Sequence, residues 1–435
     1  MTAEQLQSLF LALAAVLVLA RVLGTAARWI GQPPVVGEIT AGILVGPTLL
    51  DGVIADHLFP GDIRPMLGAL ANLGLVFFMF VIGHELDLKL LRGHEKVAAS
   101  ISLCSVVLPF GLGALLGLWL AGRHAPGSEL GFVLFLGSAM SVTAFPVLAR
   151  ILADSGLRPT RVGGVALASA AVDDIVAWSL LAVVAGVAGG GGQWRMLLAP
   201  VYLAVMYAAV RPLLARLLRD RGDGRGIGAD QLIVVLGGLM LSCWATEWLG
   251  LHFIFGAFLF GVVMPRQISE RAHRQITERV EYLSRLLLLP AFFIVAGMKV
   301  DLSGTGLRGL GELSLILLVA VTGKFAGAYA GARANRVPRT QSGVLAVLMN
   351  TRGLTEIVIL TVGLQLAVID TGMYSLMVIM ALVTTAMAGP LLYVLRRRGG
   401  GLAALGAFGE PAPQVGTAAA DVKRSVPVGR GPGPR

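Results

Sequence analysis

Charge is scarce in this chain: 14% of its 435 residues are Asp, Glu, Lys or Arg, against about a quarter in a soluble domain. With 56% hydrophobic residues, a fold that faces water on all sides is excluded. Cysteine is nearly absent, and Cys104 and Cys243 both stand inside apolar runs, which excludes a disulfide framework and the usual ligand spacing of a cysteine metal site. Met1 to Gln7 holds Glu4 and no basic residue, so the positive leader of a cleaved signal peptide is missing, and Leu6 to Leu23 is expected to remain as a first span. No Gly-rich strand-turn-helix fingerprint for a nucleotide occurs. The net charge of +10 is not gathered into a basic stripe with interleaved aromatics, which argues against a nucleic-acid partner.

What the chain has instead is apolar runs, recurring from Leu6 to Leu395 and long enough to cross a bilayer, for which about 20 residues suffice. The class is therefore integral membrane and all-α. Thirteen segments begin near residues 6, 36, 66, 97, 130, 162, 196, 231, 251, 280, 310, 342 and 373, the ninth being short. Many of the chain's 57 glycines stand within them and predict closely packed helices. The loops alternate in charge: one set carries 23 basic residues, the other only Arg64, Arg123, Arg195, Lys299 and Arg308. By the positive-inside rule the N-terminus lies outside and the C-terminus in the cytoplasm. Residues 1–398 form the membrane domain. Gly399 to Arg435, rich in Gly, Pro and Ala, is expected to be a disordered cytoplasmic tail.

Asp173 and Asp174 stand in the middle of a segment, SAAVDDIVAW, where each charge costs about 2.5 to 3.5 kcal/mol on insertion scales. Intramembrane acids at that cost point to function. Neighbours on a helix point about 100° apart, so the two carboxylates do different jobs rather than share one proton face to face. Lys324, alone in LILLVAVTGKFAGAYAGA, is the candidate basic partner. Two further segments look broken. SAMSVTAFPVLARIL contains Pro146 with the hydroxyls of Ser141 and Thr143, and NTRGLTEIVI has Gly353 beside Asn350. Irregular backbone at membrane depth survives only where protein or a cavity satisfies it, and paired breaks are the sequence pointer to a transport site. If segments 4 to 6 and 11 to 13 are repeats, each break falls in the middle member. Arg352 and Glu356, four apart, fit a pair along one helix face. Glu247 and His252 flank the junction of segments 8 and 9, His252 as a packing residue, and Glu38 and Glu85 cap or anchor segment ends.

Five stretches carry a resemblance: QPPVVGEITAGILVGP from Gln32, LGLVFFMFVIGHELDL from Leu73, SAAVDDIVAW from Ser169, EWLGLHFIFGAFLFGVVMP from Glu247 and MNTRGLTEIVIL from Met349. In this order they resemble the monovalent cation:proton antiporter superfamily, in the branch of bacterial sodium or potassium antiporters and plant cation/proton exchangers. The resemblance implies a thirteen-helix fold with inverted repeats, a dimerisation panel and a mobile core of two crossed, broken helices. It makes Asp174 the acid that binds the monovalent cation, Asp173 the partner of Lys324, and Thr143 a neighbour of the site. An Asp-Asp pair at this position resembles electrogenic members. The expectation is a homodimeric, non-enzymatic antiporter in the lipid bilayer of the cell membrane, serving pH homeostasis and exchanging potassium or sodium for protons without a cofactor. Alternatives are a gated, channel-like potassium efflux protein, a non-transporting sensor, and an intramembrane aspartyl protease, which needs its acids on facing helices.

Overall fold

The computed structural model describes residues 2–49, 52–85, 95–157, 160–188, 195, 198–218, 228–265, 282 and 284–398. The expected tail from Gly399, the side chain of Glu85, and basic loop residues such as Lys89, Arg92, Arg158, Arg221 and Arg271 lie outside the described residues.

Among the described residues the chain is helical throughout. A Thr2–Gln5 capping box starts α1 (Ala3–Trp29), and a tight turn leads into α2 (Pro34–Val45), whose proline sits at the first turn where no N–H is needed. A short α3 (Val53–Leu58) precedes α4 (Arg64–Glu85) and α5 (Glu95–His124). Ser128 caps α6 (Glu129–Ser141), which is followed by α7 (Phe145–Asp154) and α8 (Arg161–Ala188). Next come α9 (Ala199–Val205), a π turn and α10 (Arg211–Leu217), then α11 (Ala229–Trp248) and α12 (Phe253–Val263). The chain continues with α13 (Leu289–Met298), α14 (Leu307–Ala334), α15 (Arg339–Met349), α16 (Leu354–Gln365) and α17 (Thr371–Arg398). Nine stretches of the described residues are long and apolar enough to cross a membrane, and four shorter apolar helices accompany them.

The helices pack as two groups. In one, α2 lies between α1 and α13, and α4 packs along α12 and α13, with α11 against α12. In the other, α5 packs along α6 and α14, α8 against α5 and α6, and α17 against α14, α15 and α16. The second group repeats one plan, a long helix, a broken helix and a long helix, first as α5, α6–α7 and α8, then as α14, α15–α16 and α17. These are the segments in which the sequence predicts the repeat. The two leading members run antiparallel in backbone contact. A Cβ on Gly323, Gly327 or Gly331 of α14 would run into Pro109, Cys104 or Ser100 of α5, in falling order along the partner. Small residues are what allow such an approach in lipid, where van der Waals packing carries association.

The first-group turn 31–33 and the second-group residues Arg150, Ser155, Gly389 and Tyr393 line a cavity of about 760 Å³ that Arg28 also borders. At the opposite ends of the helices the two groups close on each other. Tyr374 Oη donates to Ala296 O (2.9 Å), Asp301 N to Ser375 Oγ (2.9 Å), and Trp178 meets the rings of Phe255 and Phe258. The interface thus holds a cavity at one end, bridged beside it by Gln32 Nε2 to Ala386 O (3.3 Å), and is sealed by these contacts at the other.

Gly327→Val is expected to destabilise the protein by about 1–3 kcal/mol or more, because the added atoms meet backbone that has no slack. Gly311→Val, on an exposed face of the same helix with open space around it, is the control. Thermal unfolding in detergent checks it; equal midpoints would remove the α5–α14 contact as a stabilising feature.

Candidate functional site

The first break is not at Pro146. Helix α6 stops at Ser141, residues 142–144 are not helical, with Val142 extended, and Pro146 is the second residue of α7, where its missing N–H costs nothing. The second break, residues 350–353, ends at Gly353, whose φ of 156° is a value that residues with a Cβ rarely adopt. The two breaks meet: Ala144 N donates to Thr351 O at 3.0 Å, and Thr143 Oγ1 lies 3.0 Å from Met349 O. Peptide groups released by each interruption are thus satisfied by the other, as burial in an apolar interior requires.

Arg352 completes the crossing. Fully buried, its guanidinium donates from Nη1 to Ala139 O (3.1 Å) and from Nη2 to Met140 O (2.6 Å), and so caps the carbonyl end of α6. Nη1 also contacts Glu356 Oε1 at 2.8 Å, the expected i,i+4 pair, while Thr385 Oγ1 donates to Arg352 O.

Helix α8 brings Asp173 and Asp174 to this crossing, both buried, and their surroundings differ sharply. Asp173 is saturated. Its Oδ1 accepts from Ser102 Oγ (2.6 Å), and its Oδ2 from Ser105 Oγ (3.1 Å), Thr143 Oγ1 (2.7 Å) and Lys324 Nζ (3.2 Å). Lys324 Nζ also donates to Thr143 Oγ1 at 2.7 Å. An ammonium and three hydroxyls around one carboxylate offset the desolvation of both charges, which a bare buried pair does not achieve. Asp174 is sparsely held: the N–H of Phe145, first residue of α7, acts on it electrostatically, and its Oδ1 has no hydrogen-bond partner among the described residues. Asn350 Oδ1 and Glu356 Oε2 are likewise buried without a partner.

The residues singled out in the sequence therefore converge, with exceptions. Ser141 turns back onto Ser138 O of its own helix and touches neither acid. Glu247 accepts from Phe253 N and caps α12, whereas His252 does more than pack: its Nε2 lies 3.0 Å from Gln365 Oε1 and links the two helix groups at their sealed end. Glu38 sits within α2 rather than at its end, half-buried, with the charges of Arg28 and Arg150 acting on it. Ser102 and Ser105 also belong to this site, and the sequence does not single them out. Their only signal is a pair of hydroxyls three apart on one face of an otherwise apolar span. Cys104 and Cys243 are free thiols on separate helices.

An all-helical membrane bundle in which two interrupted helices cross beside buried ionisable groups is the architecture of a secondary ion transporter. A family described as "Sodium/hydrogen exchanger, transmembrane" matches residues 13–396. The chain belongs to this sodium/hydrogen exchanger family, a family of cation/proton antiporters and not of enzymes. It is 39% identical over 386 residues to the Na(+)/H(+) antiporter NhaS4 of Synechocystis sp., covering 86% of this chain and 93% of that one. To the K(+)/H(+) antiporter 1 of Saccharomyces cerevisiae it is 31% identical, covering 83% of this chain but only 44% of the longer yeast protein. The structure of the sodium proton antiporter MjNhaP1 from Methanocaldococcus jannaschii superposes with a TM-score of 0.64 at 16% identity, over 93% of this chain and 100% of that one, a likeness of fold.

Arg352→Ala removes the cap of α6 and leaves Glu356 as a buried, unpaired carboxylate. The expected loss is on the order of 3–5 kcal/mol, the usual effect of breaking a buried pair from one side. The double variant Arg352→Ala/Glu356→Gln should recover part of it. Thermal midpoints of the purified variants measure both; a double variant no more stable than the single one would mean the carboxylate is not the source of the loss.

Proposed function

We propose that the protein exchanges a monovalent cation, sodium or potassium, for protons at Asp174, across thirteen spans in the cell membrane, as a homodimer. The observation that carries this reading is the contrast within the acid pair. Asp173 has four donors and is paired with Lys324, whereas Asp174 keeps an oxygen free at membrane depth. A carboxylate binds a cation or a proton but not both at once, and this competition is the elementary requirement of exchange. Asn350 Oδ1 is one further oxygen able to replace water around the ion. Thr143 belongs to the binding region through its bonds to Asp173 and Lys324 rather than through the ion itself.

The cycle follows from the two helix groups. With a cavity in the interface on the arginine-bordered side and a seal on the other, rocking of one group against the other exposes Asp174 alternately to the two faces. The cation travels on ionised Asp174 with Asp173 paired to Lys324; on the return one proton takes Asp174 and a second takes Asp173, breaking its bond to Lys324, so two protons move against one cation and transport is electrogenic. Names of relatives support both candidate cations, sodium in the cyanobacterial protein and potassium in the yeast one. The arginine-bordered side faces the cytoplasm, with the N-terminus outside, 1–398 as the membrane domain and 399–435 as a cytoplasmic tail.

Asp174→Asn is expected to abolish exchange while the protein inserts and folds, since an amide keeps size and hydrogen bonding but cannot ionise. Asp173→Asn is expected to keep partial exchange with an altered pH dependence. Everted vesicles tested separately with sodium, potassium and lithium give the measurement and name the cation. Normal transport by Asp174→Asn with a dead Asp173→Asn would exchange the two roles, and normal transport by both would end the proposal.

Orientation is tested by single cysteines at Asp56 and Arg339, both exposed, on a background lacking Cys104 and Cys243. An impermeant thiol reagent applied to intact cells should label the first at once and the second only after permeabilisation. The reverse pattern would invert the topology.

A further inference from the structure

A second cluster of ionisable side chains gathers at the sealed end of the molecule, far along the chain from Asp174. His124, the last residue of α5, has its ring held between two carboxylates. Its Nδ1 lies 2.9 Å from Asp370 Oδ2 and its Nε2 lies 3.1 Å from Glu312 Oε2. The side chain is 14% exposed, that of Glu312 6% and that of Asp370 37%, so the Glu312 bond is shielded from water while the Asp370 bond lies at the rim.

Ionised carboxylates only accept hydrogen bonds, and a neutral imidazole has one N–H to give. A ring that meets a carboxylate at both nitrogens satisfies both bonds only as the imidazolium. The carboxylates have their own reasons to stay ionised. Arg123 Nη1 pairs with Glu312 Oε1 at 2.6 Å, and Met373 N donates to Asp370 Oδ1 at 2.7 Å. Asp370 lies in the turn ahead of α17; burial alone would raise its pKa, but the bonds from His124 and from Met373 N outweigh that and hold it below its ordinary value. The charged groups facing the ring are thus Arg123 on its own helix, Glu312 from α14 and Asp370 from the α16–α17 turn.

What the cluster ties together is specific. Asp370 N also donates to His124 O (3.3 Å), and the turn between α16 and α17 folds back through Val368 N to Gly363 O. The cluster therefore pins the end of α16 remote from Gly353 onto α5, the helix that supplies Ser102 and Ser105 to Asp173. Glu312 adds α14, the helix that supplies Lys324.

We infer that His124 is a proton-sensing positioning residue: its doubly protonated ring ties α5, α14 and the α16–α17 turn together at the face opposite the arginine-bordered cavity, and its deprotonation loosens that tie and slows exchange. The inference rests on the antiport reading for its effect on rate, and on geometry alone for the tie. Complete below the titration of the ring, the tie loses one bond as pH on that face rises. Histidine is the side chain whose charge changes in this range.

The test uses the full chain in oriented proteoliposomes, with pH varied on one face while the other is fixed and cation exchange followed by tracer. The wild-type rate is expected to fall about fivefold as pH on the His124 face rises through neutrality, the low end of coupling between linked sites. His124→Gln keeps one donor and no charge, and should run at the alkaline wild-type rate throughout. His124→Arg, a permanent cation with several donors, should hold the acid rate throughout. Steps of unchanged midpoint in both variants, or an equal loss at all pH values on both faces, overturn the inference. Hydrogen exchange at the amides of residues 368–373, corrected for the intrinsic effect of pH, reads the tie without transport. Protection should be lost on raising pH in the wild type and be absent from His124→Gln at every pH. If the wild type exchanges no cation, the antiport reading fails and this second measurement still decides whether the tie exists; pH-independent protection there overturns it.

Discussion

Breaking a helix inside a membrane leaves peptide N–H and C=O groups with no water to turn to, and this is the constraint on which the rest of the structure depends. The protein meets it by bringing two breaks together. Ala144 N finds Thr351 O, and the carbonyls ending α6 find the guanidinium of Arg352. Arg352 is in turn affordable at depth only because Glu356 lies one helical turn on. The pair and the irregular backbone are therefore one unit, each making the other tolerable. The acids on α8 sit beside this unit, where local polarity has already been established.

Within that setting the two aspartates divide according to how many donors reach them. Asp173 is approached from two helices and the first break, and its negative charge is matched by Lys324. Asp174, one residue on and about 100° around the helix, points away from those donors. A difference of one position thus gives one carboxylate four donors and leaves the other with an unpartnered oxygen, with no change in residue type.

Much of this was legible in the sequence because burying charge in lipid is expensive and leaves few explanations for Asp173, Asp174 and Lys324. The repeat was legible too, since both breaks carry residues that do not suit an uninterrupted span. Other features were hidden for physical reasons. Proline marked the first break but misplaced it by several residues, because a proline is as comfortable in the first turn of the following helix as in a gap. Ser102 and Ser105 look like any small hydroxyls in a membrane helix until Asp173 is seen opposite them. Arg352 showed its i,i+4 partner through spacing, but its hold on α6 joins positions more than two hundred residues apart, which no local pattern reveals. His124, Glu312 and Asp370 stand near segment ends, where charged residues are ordinary, so nothing in their composition sets them apart.

The ridge of Gly323, Gly327 and Gly331 against α5 has a mechanical consequence. Two rods in backbone contact along several turns cannot slide past one another without lifting apart, so α5 and α14 behave as a girder. Ser102 and Ser105 are bolted to one flange and Lys324 to the other. The hydroxyls of Ser102 and Ser105 and the ammonium of Lys324 are therefore held at one fixed spacing by the beam itself, with no lever between them.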